Sequence, residues 1–224
     1  MPKHIIQTIN FNLLPAEIPL ITNLNWIADE SDWIEIKGSN NSGKTSLLNA
    51  MYGHINQCSG QLFVLDYSMI PVAKDDLSTL RRKLGYAKQE FNLLKNKTVR
   101  ANLAMVLNAA DRIMDQNFEE IITNLLDRFS LKDLLRKEVK DLSFSQQQLS
   151  AIARAIIHKP KLLLLDQSFD YLDNTNRNKA IEIIQEYRSG ERMTILSTSV
   201  FGWGKEISNC KIFKIEDGNL IASD

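Results

Sequence analysis

The run Gly38-Ser39-Asn40-Asn41-Ser42-Gly43-Lys44-Thr45-Ser46 combines residue types suited to surrounding a polyphosphate. From Gly38 to Thr45 it satisfies G-x-x-x-x-G-K-[ST]. In that pattern the backbone N–H groups of the loop and of the helix after it face the phosphates, because a helix N-terminus leaves its first donors unpaired and carries partial positive charge. Lys44 brings a full charge to the β and γ oxygens, and the Thr45 hydroxyl is a hard oxygen ligand for Mg²⁺. A second signal is Lys161-Leu-Leu-Leu-Leu-Asp166, an apolar run ending in a carboxylate. A strand apolar on both faces belongs inside a parallel sheet, and such sheets bind ligands at the carboxyl ends of their strands. An apolar strand ending in aspartate is commonplace alone; beside a phosphate loop, Asp166 reads as the residue that holds Mg²⁺ through water.

These groups need a strand before the loop, a helix after it and a sheet beneath. Ile5 to Phe11, Leu20 to Trp26 and Trp33 to Lys37 are β-rich stretches separated by Pro, Asn, Asp or Ser, and each predicts a strand. The run TSLLNAMYG after Lys44 predicts a helix that stops at Gly53. From about residue 91 to 140 the pattern is helical: Phe118, Ile121, Ile122, Leu125, Leu126 and Phe129 share one face, with Asn117 as the expected N-cap. A helix after Ser143 turns Leu149, Ile152, Ala153, Ile156 and Ile157 inward and is closed by Pro160. A helix over 175–187, the strand MTILST and a hairpin KIFKIEDGNLIA turning at Asp217-Gly218 follow.

Lys plus Arg and Asp plus Glu are equal at 27 each, so no global field draws the chain to nucleic acid or to an anionic bilayer, and partners must be recognised locally. Cys58 and Cys210 lack metal-site spacing and suit a reducing compartment. MPKHIIQTINF lacks the apolar core and cleavage site of a signal peptide, and no run approaches the ~18 apolar residues of a spanning helix, so a cytoplasmic chain is expected. His4, His54 and His158 are isolated and suit surface or helix-end positions. The segment Lys132 to Asp141 suits a solvated face, and Phe201 and Trp203 beside Gly202 and Gly204 suit local packing.

Between the phosphate loop and Asp166 lie Tyr86-Ala-Lys-Gln89-Glu-Phe and Leu142-Ser143-Phe144-Ser145-Gln146, and beyond it Tyr171-Leu172-Asp173. Through these the chain resembles the ABC ATPases, with Gln89 at the Q-loop position, Leu142 to Gln146 at the LSGGQ signature and Tyr171 to Asp173 at the D-loop. Leu80-Arg-Arg-Lys-Leu-Gly85 and Phe91 to Val99 look most like the branch of FtsE, LolD and MacB, closest to FtsE. A guanine-nucleotide reading is disfavoured because Asn96-Lys97-Thr98-Val99 lacks the aspartate of N-K-x-D.

The resemblance implies an α/β P-loop fold with an N-terminal antiparallel β subdomain, a mixed central sheet flanked by helices and an inserted helical subdomain. As domains it implies one unit, 1–224, in which 1–90 and 144–224 form the core and about 91–143 the helical signature subdomain. It implies ATP and Mg²⁺ as cofactors, with Thr45, Gln89 and Asp166 toward the metal and Ser143 and Gln146 toward the nucleotide of an opposite subunit. It also implies a ring that stacks on adenine; Phe11 is the candidate, although that residue equally suits a strand core.

Several family positions are altered. Gln167 stands where a glutamate would polarise the attacking water, and an amide orients water without accepting its proton. Losing a general base typically lowers a rate ~10² to 10⁴-fold. Ser199 stands in place of the switch histidine, Phe144 and Ser145 in place of the signature glycines, and Ser168 in place of a proline. The expected catalytic set is therefore Gln167, Ser199 and Gln89, with slow or absent turnover and preserved ATP binding. The expected assembly is a homodimer or heterodimer of nucleotide-binding subunits beneath an integral membrane subunit, without nucleic acid. The expected role is FtsE-like coupling of ATP occupancy to that subunit; the alternative is a non-hydrolysing regulatory or structural module in a heterodimer.

Overall fold

The computed structural model describes residues 3–14, 19–54, 57–110 and 117–223. Strands β1 (His4–Leu13), β2 (Ile21–Asp29), β4 (Cys58–Val64) and β5 (Tyr67–Ser68) form an antiparallel sheet in the order β2-β1-β4-β5. A six-stranded mixed sheet has the order β10-β9-β3-β8-β7-β6, with β3 at Trp33–Lys37, β6 at Leu84–Ala87, β7 at Leu162–Asp166 and β8 at Thr194–Ser199. Its last two strands are β9 (Cys210–Glu216) and β10 (Asn219–Ala222). The strands from β9 through β6 run parallel, and only β10 is antiparallel to its neighbour.

All five residues of β7 are buried, as an apolar strand covered on both faces must be. One core covers the face that carries α1 (Lys44–Met51) and the antiparallel sheet, and includes Leu47, Leu48, Ile34 and Ile36. A second core lies under α3 (Val99–Ala109), α4 (Phe118–Arg128), α5 (Phe144–Ile156) and α6 (Asn174–Glu191). A further helix, α2, spans Lys74–Arg81. Gly85 lets β6 and α5 touch: a Cβ there would lie 2.1 Å from the carbonyl oxygen of Ala155. The hairpin turns at Asp217 and Gly218, both at positive φ, as a type I′ turn requires.

The helix expected from the Phe118 pattern is α4, and Ile122, Leu125 and Leu126 are its buried residues. Asn117 occupies the N-cap position but makes no cap hydrogen bond. At φ −109 and ψ 28 its backbone is away from the extended conformation from which a cap side chain reaches back to the first turn. The helix expected over 175–187 runs a turn longer at its C-terminal end, to Glu191.

Candidate functional site

The loop Gly38–Gly43 joins the end of β3 to α1 at the carboxyl edge of the mixed sheet. It is drawn tight by Ser42 N–H donating to the Ser39 carbonyl at 3.3 Å. Asn41 sits at φ 63 and Gly43 at φ 100, a conformation a glycine adopts without Cβ strain. A cavity of about 560 Å³ opens over this turn, lined by Asn40 through Ser46 together with Leu20, Gln89, Gln167 and Tyr171.

Lys44 is buried, and its Nζ donates to the carbonyls of Gly38 at 2.7 Å and Ser39 at 2.8 Å. Burial pulls its ammonium below the ordinary lysine range, and the charges of Asp166 and Asp170 oppose that fall. Asp166 Oδ1 accepts from the Thr45 hydroxyl at 3.1 Å and from the Thr198 hydroxyl at 2.9 Å. Burial pushes its carboxyl up, against those two hydrogen bonds and the charges of Lys44 and Lys88. Thr45, Asp166 and Gln89 offer only hard oxygen donors, the kind that suits Mg²⁺.

The residue after Asp166 is closely constrained. Gln167 is 6% exposed and lies at φ 50, a left-handed conformation uncommon outside glycine. Its N–H is held by both oxygens of Thr198, at 3.1 Å to Oγ1 and 3.2 Å to the carbonyl. Its side-chain Nε2 donates to Gln89 Oε1 at 3.3 Å, so the two glutamines meet in the lining of the cavity. The loop that carries Gln89 is held from below: Arg154 of α5 donates to the carbonyls of Phe91 at 2.9 Å and Asn92 at 2.6 Å.

Ser199 lies elsewhere. Successive side chains of a strand point to opposite faces, so while Thr198 meets Asp166, Ser199 turns away. It is 1% exposed, donates to Glu35 Oε1 at 2.7 Å, and is not among the residues lining the cavity. Phe11 is 0% exposed within the core of the antiparallel sheet. Its ring offers no face for a base to lie on, which corrects the adenine-stacking expectation: the register of β1 turns Phe11 inward.

Ser143 and Gln146 form a capping box at the start of α5: Ser143 Oγ accepts from Gln146 N–H at 3.3 Å, and Gln146 Oε1 accepts from Ser143 N–H at 3.0 Å. They too are not among the residues lining the phosphate-loop cavity. Phe144 is 52% exposed, and its ring packs edge-on against Phe91 at 4.8 Å and Tyr171 at 5.7 Å. One aromatic side chain thereby ties the start of α5 to the loops after β6 and β7.

Sequence reasoning passed over Thr198, Glu35 and Asp170. A glutamate in the middle of a strand as apolar as WIEIK was a readable signal, since a charge there must find partners when buried.

A family model for ABC transporters matches residues 21–170. The macrolide export ATP-binding/permease protein MacB of Syntrophobacter fumaroxidans is 30% identical over 212 residues, covering 93% of this chain and 29% of that relative. The chain therefore spans less than a third of MacB. The cell division ATP-binding protein FtsE of Streptococcus pneumoniae is 27% identical over 192 residues, covering 84% of this chain and 81% of FtsE. The dimeric structure of a bacterial ABC transporter cassette has the same fold, with a TM-score of 0.85 at 23% identity over 96% of both chains. With the phosphate loop, the aspartate at the end of β7 and the two-sheet architecture in agreement, the chain belongs to the ABC transporter family of ATP-binding cassettes.

Proposed function

We propose that this chain is the ATP-binding subunit of an FtsE-like ABC transporter or mechanotransmission complex, one that holds MgATP and hydrolyses it slowly or not at all. The observation that carries this reading is a cavity lined by Lys44 and Thr45, with Asp166 behind it accepting from the Thr45 hydroxyl, in which an amide pair, Gln167 with Gln89, takes the place of a carboxylate base. The loop N–H groups and Lys44 would bind the phosphates. Thr45, Asp166 and Gln89 would hold Mg²⁺, which supplies neutralising charge to them. Gln167 can orient a water but has no site to receive its proton.

A second cavity, of about 650 Å³, supports the membrane-partner part of the reading. It lies between α2, β6, α3 and α5, beside the loop that carries Gln89. Arg81, Arg82, Lys88 and Arg154 line it with an apolar wall of Met105, Val106 and Ala109, and no Asp or Glu is among its described lining residues. A membrane subunit seated there would touch the Gln89 loop directly, which would place the chain on the cytoplasmic face of the membrane through its partner. The alternative, a non-hydrolysing regulatory or structural module paired with a second nucleotide-binding subunit, draws support from Ser199, whose hydroxyl is committed to Glu35.

MgATP binding and hydrolysis measured side by side on the wild type, Lys44→Ala and Gln167→Glu test the proposal. Tight binding that Lys44→Ala abolishes, with little turnover and a rise of at least tenfold in Gln167→Glu, is the expected result. Robust Lys44-dependent turnover in the wild type would sink the slow-turnover reading, and absence of MgATP binding would sink the whole.

A further inference from the structure

The connection that leaves β8 and passes the phosphate-loop side of the sheet is bound down by two acids, the buried Glu35 and the half-buried Asp170. Glu35, at the centre of β3, is 2% exposed, and its carboxylate accepts three hydrogen bonds from this one segment. Oε1 accepts from the Ser199 hydroxyl at 2.7 Å and from Trp203 N–H at 2.6 Å, and Oε2 from Gly204 N–H at 2.8 Å. Asp170, four residues past Asp166, accepts from Val200 N–H at 2.8 Å and from the Trp203 indole N–H at 2.7 Å. The guanidinium of Arg177 lies 3.9 Å from the centre of the Trp203 ring. Gly202 N–H donates to Ser199 Oγ at 3.1 Å, closing the turn on itself. Gly204 allows the approach, because a Cβ there would lie 2.8 Å from Glu35 Oε2 and 2.7 Å from Ile212 Cγ1.

A buried carboxylate without these donors would carry a large desolvation penalty, so the segment and Glu35 hold each other in place. We infer that Glu35 and Asp170 are positioning residues that fix Ser199–Gly204 in one arrangement, so that this segment is immobile and does not respond to nucleotide. The inference rests on the MgATP-binding reading only for its nucleotide arm. It also explains why residue 199 takes no part in the cavity: its hydroxyl is spent on Glu35.

Amide hydrogen exchange read residue by residue on the full chain tests this, with and without saturating MgATP. In the wild type, Val200, Trp203 and Gly204 should be protected, and their rates should change less than twofold on adding MgATP. In Glu35→Gln, which puts a donor where an acceptor is needed, exchange at Trp203 and Gly204 should rise at least tenfold while Leu163 to Leu165 of β7 stay protected. Asp170→Asn, a milder change, should do the same at Val200 and serves if Glu35→Gln does not fold. A tenfold response of the wild-type segment to MgATP, or unchanged rates in the variant that folds, overturns the inference. Equilibrium dialysis of MgATP on the same samples separates the two ideas: no binding defeats the proposed function, while the nucleotide-free comparison still decides the role of Glu35 and Asp170.

Discussion

Replacing Arg154 with methionine removes the two hydrogen bonds that its guanidinium gives the loop after β6, and the structure sets the size of the effect. Arg154 is 9% exposed, and its guanidinium bonds the carbonyls of Phe91 and Asn92, which lie at φ 61 and φ 50. Two hydrogen bonds from a charged donor contribute about 3–6 kcal/mol together. Two non-glycine residues in the left-handed region cost about 2–4 kcal/mol, and a released loop recovers that strain. Methionine keeps most of the apolar stem packed, so the net loss is about 1–2 kcal/mol. For a chain of this length that corresponds to a fall in melting temperature of roughly 2–8 °C. The loop itself should open further than the whole, since its local clamp is gone. Thermal denaturation reads the first quantity, and trypsin cleavage after Lys88 and Lys95 reads the second. A melting temperature within 1 °C of wild type (about a quarter to half a kcal/mol) together with unchanged cleavage would refute the reasoning.

Gly85→Ala should destabilise the chain by about 1–3 kcal/mol, because the new methyl meets the backbone oxygen of Ala155, which cannot rotate away; a melting temperature equal to wild type would contradict the close packing of β6 on α5. Burial pushes the Cys58 thiol from an ordinary value of 9.0 to about 11, and pushes Cys210 up to about 12. The reactive species is the thiolate, so Cys58 in the folded chain should alkylate with iodoacetamide at pH 8 about a hundredfold more slowly than in guanidinium, and Cys210 more slowly still. Equal rates in the two solvents would count against the burial of both thiols.

Local signals in this chain read well and long-range ones do not. Trp33–Lys37 and the turn at Asp217-Gly218 are legible because β-rich spacing and a two-residue turn act within a few residues. β4 and α2 escaped assignment: the first opens with four half-buried or exposed residues and contains Gly60, and the second buries Leu80 alone, so neither displays a full periodic face. The phosphate loop and Asp166 are legible by type and spacing, but the orientation of Ser199 is decided by Glu35, 164 positions away, and that of Gln167 by Gln89, 78 positions away. Phe11 had the right type for a base platform, and its inward register depends on how β1 pairs with β2 and β4.

The strand order of the mixed sheet also dictates an order of assembly on the ribosome. β1, β2, β4 and β5 all lie within the first 68 residues and can pair as soon as they emerge, whereas the β3 indole of Trp33 must wait for Ser197, 164 positions later, as the acceptor of its hydrogen bond. At about 5–20 residues per second, that interval is roughly 8–30 s. Throughout it, WIEIK is an apolar strand whose ladder partners have yet to be made, and a charge at the centre of such a strand opposes edge-to-edge stacking between chains. The glutamate that later anchors the connection after β8 would thus first serve as a guard against aggregation during synthesis.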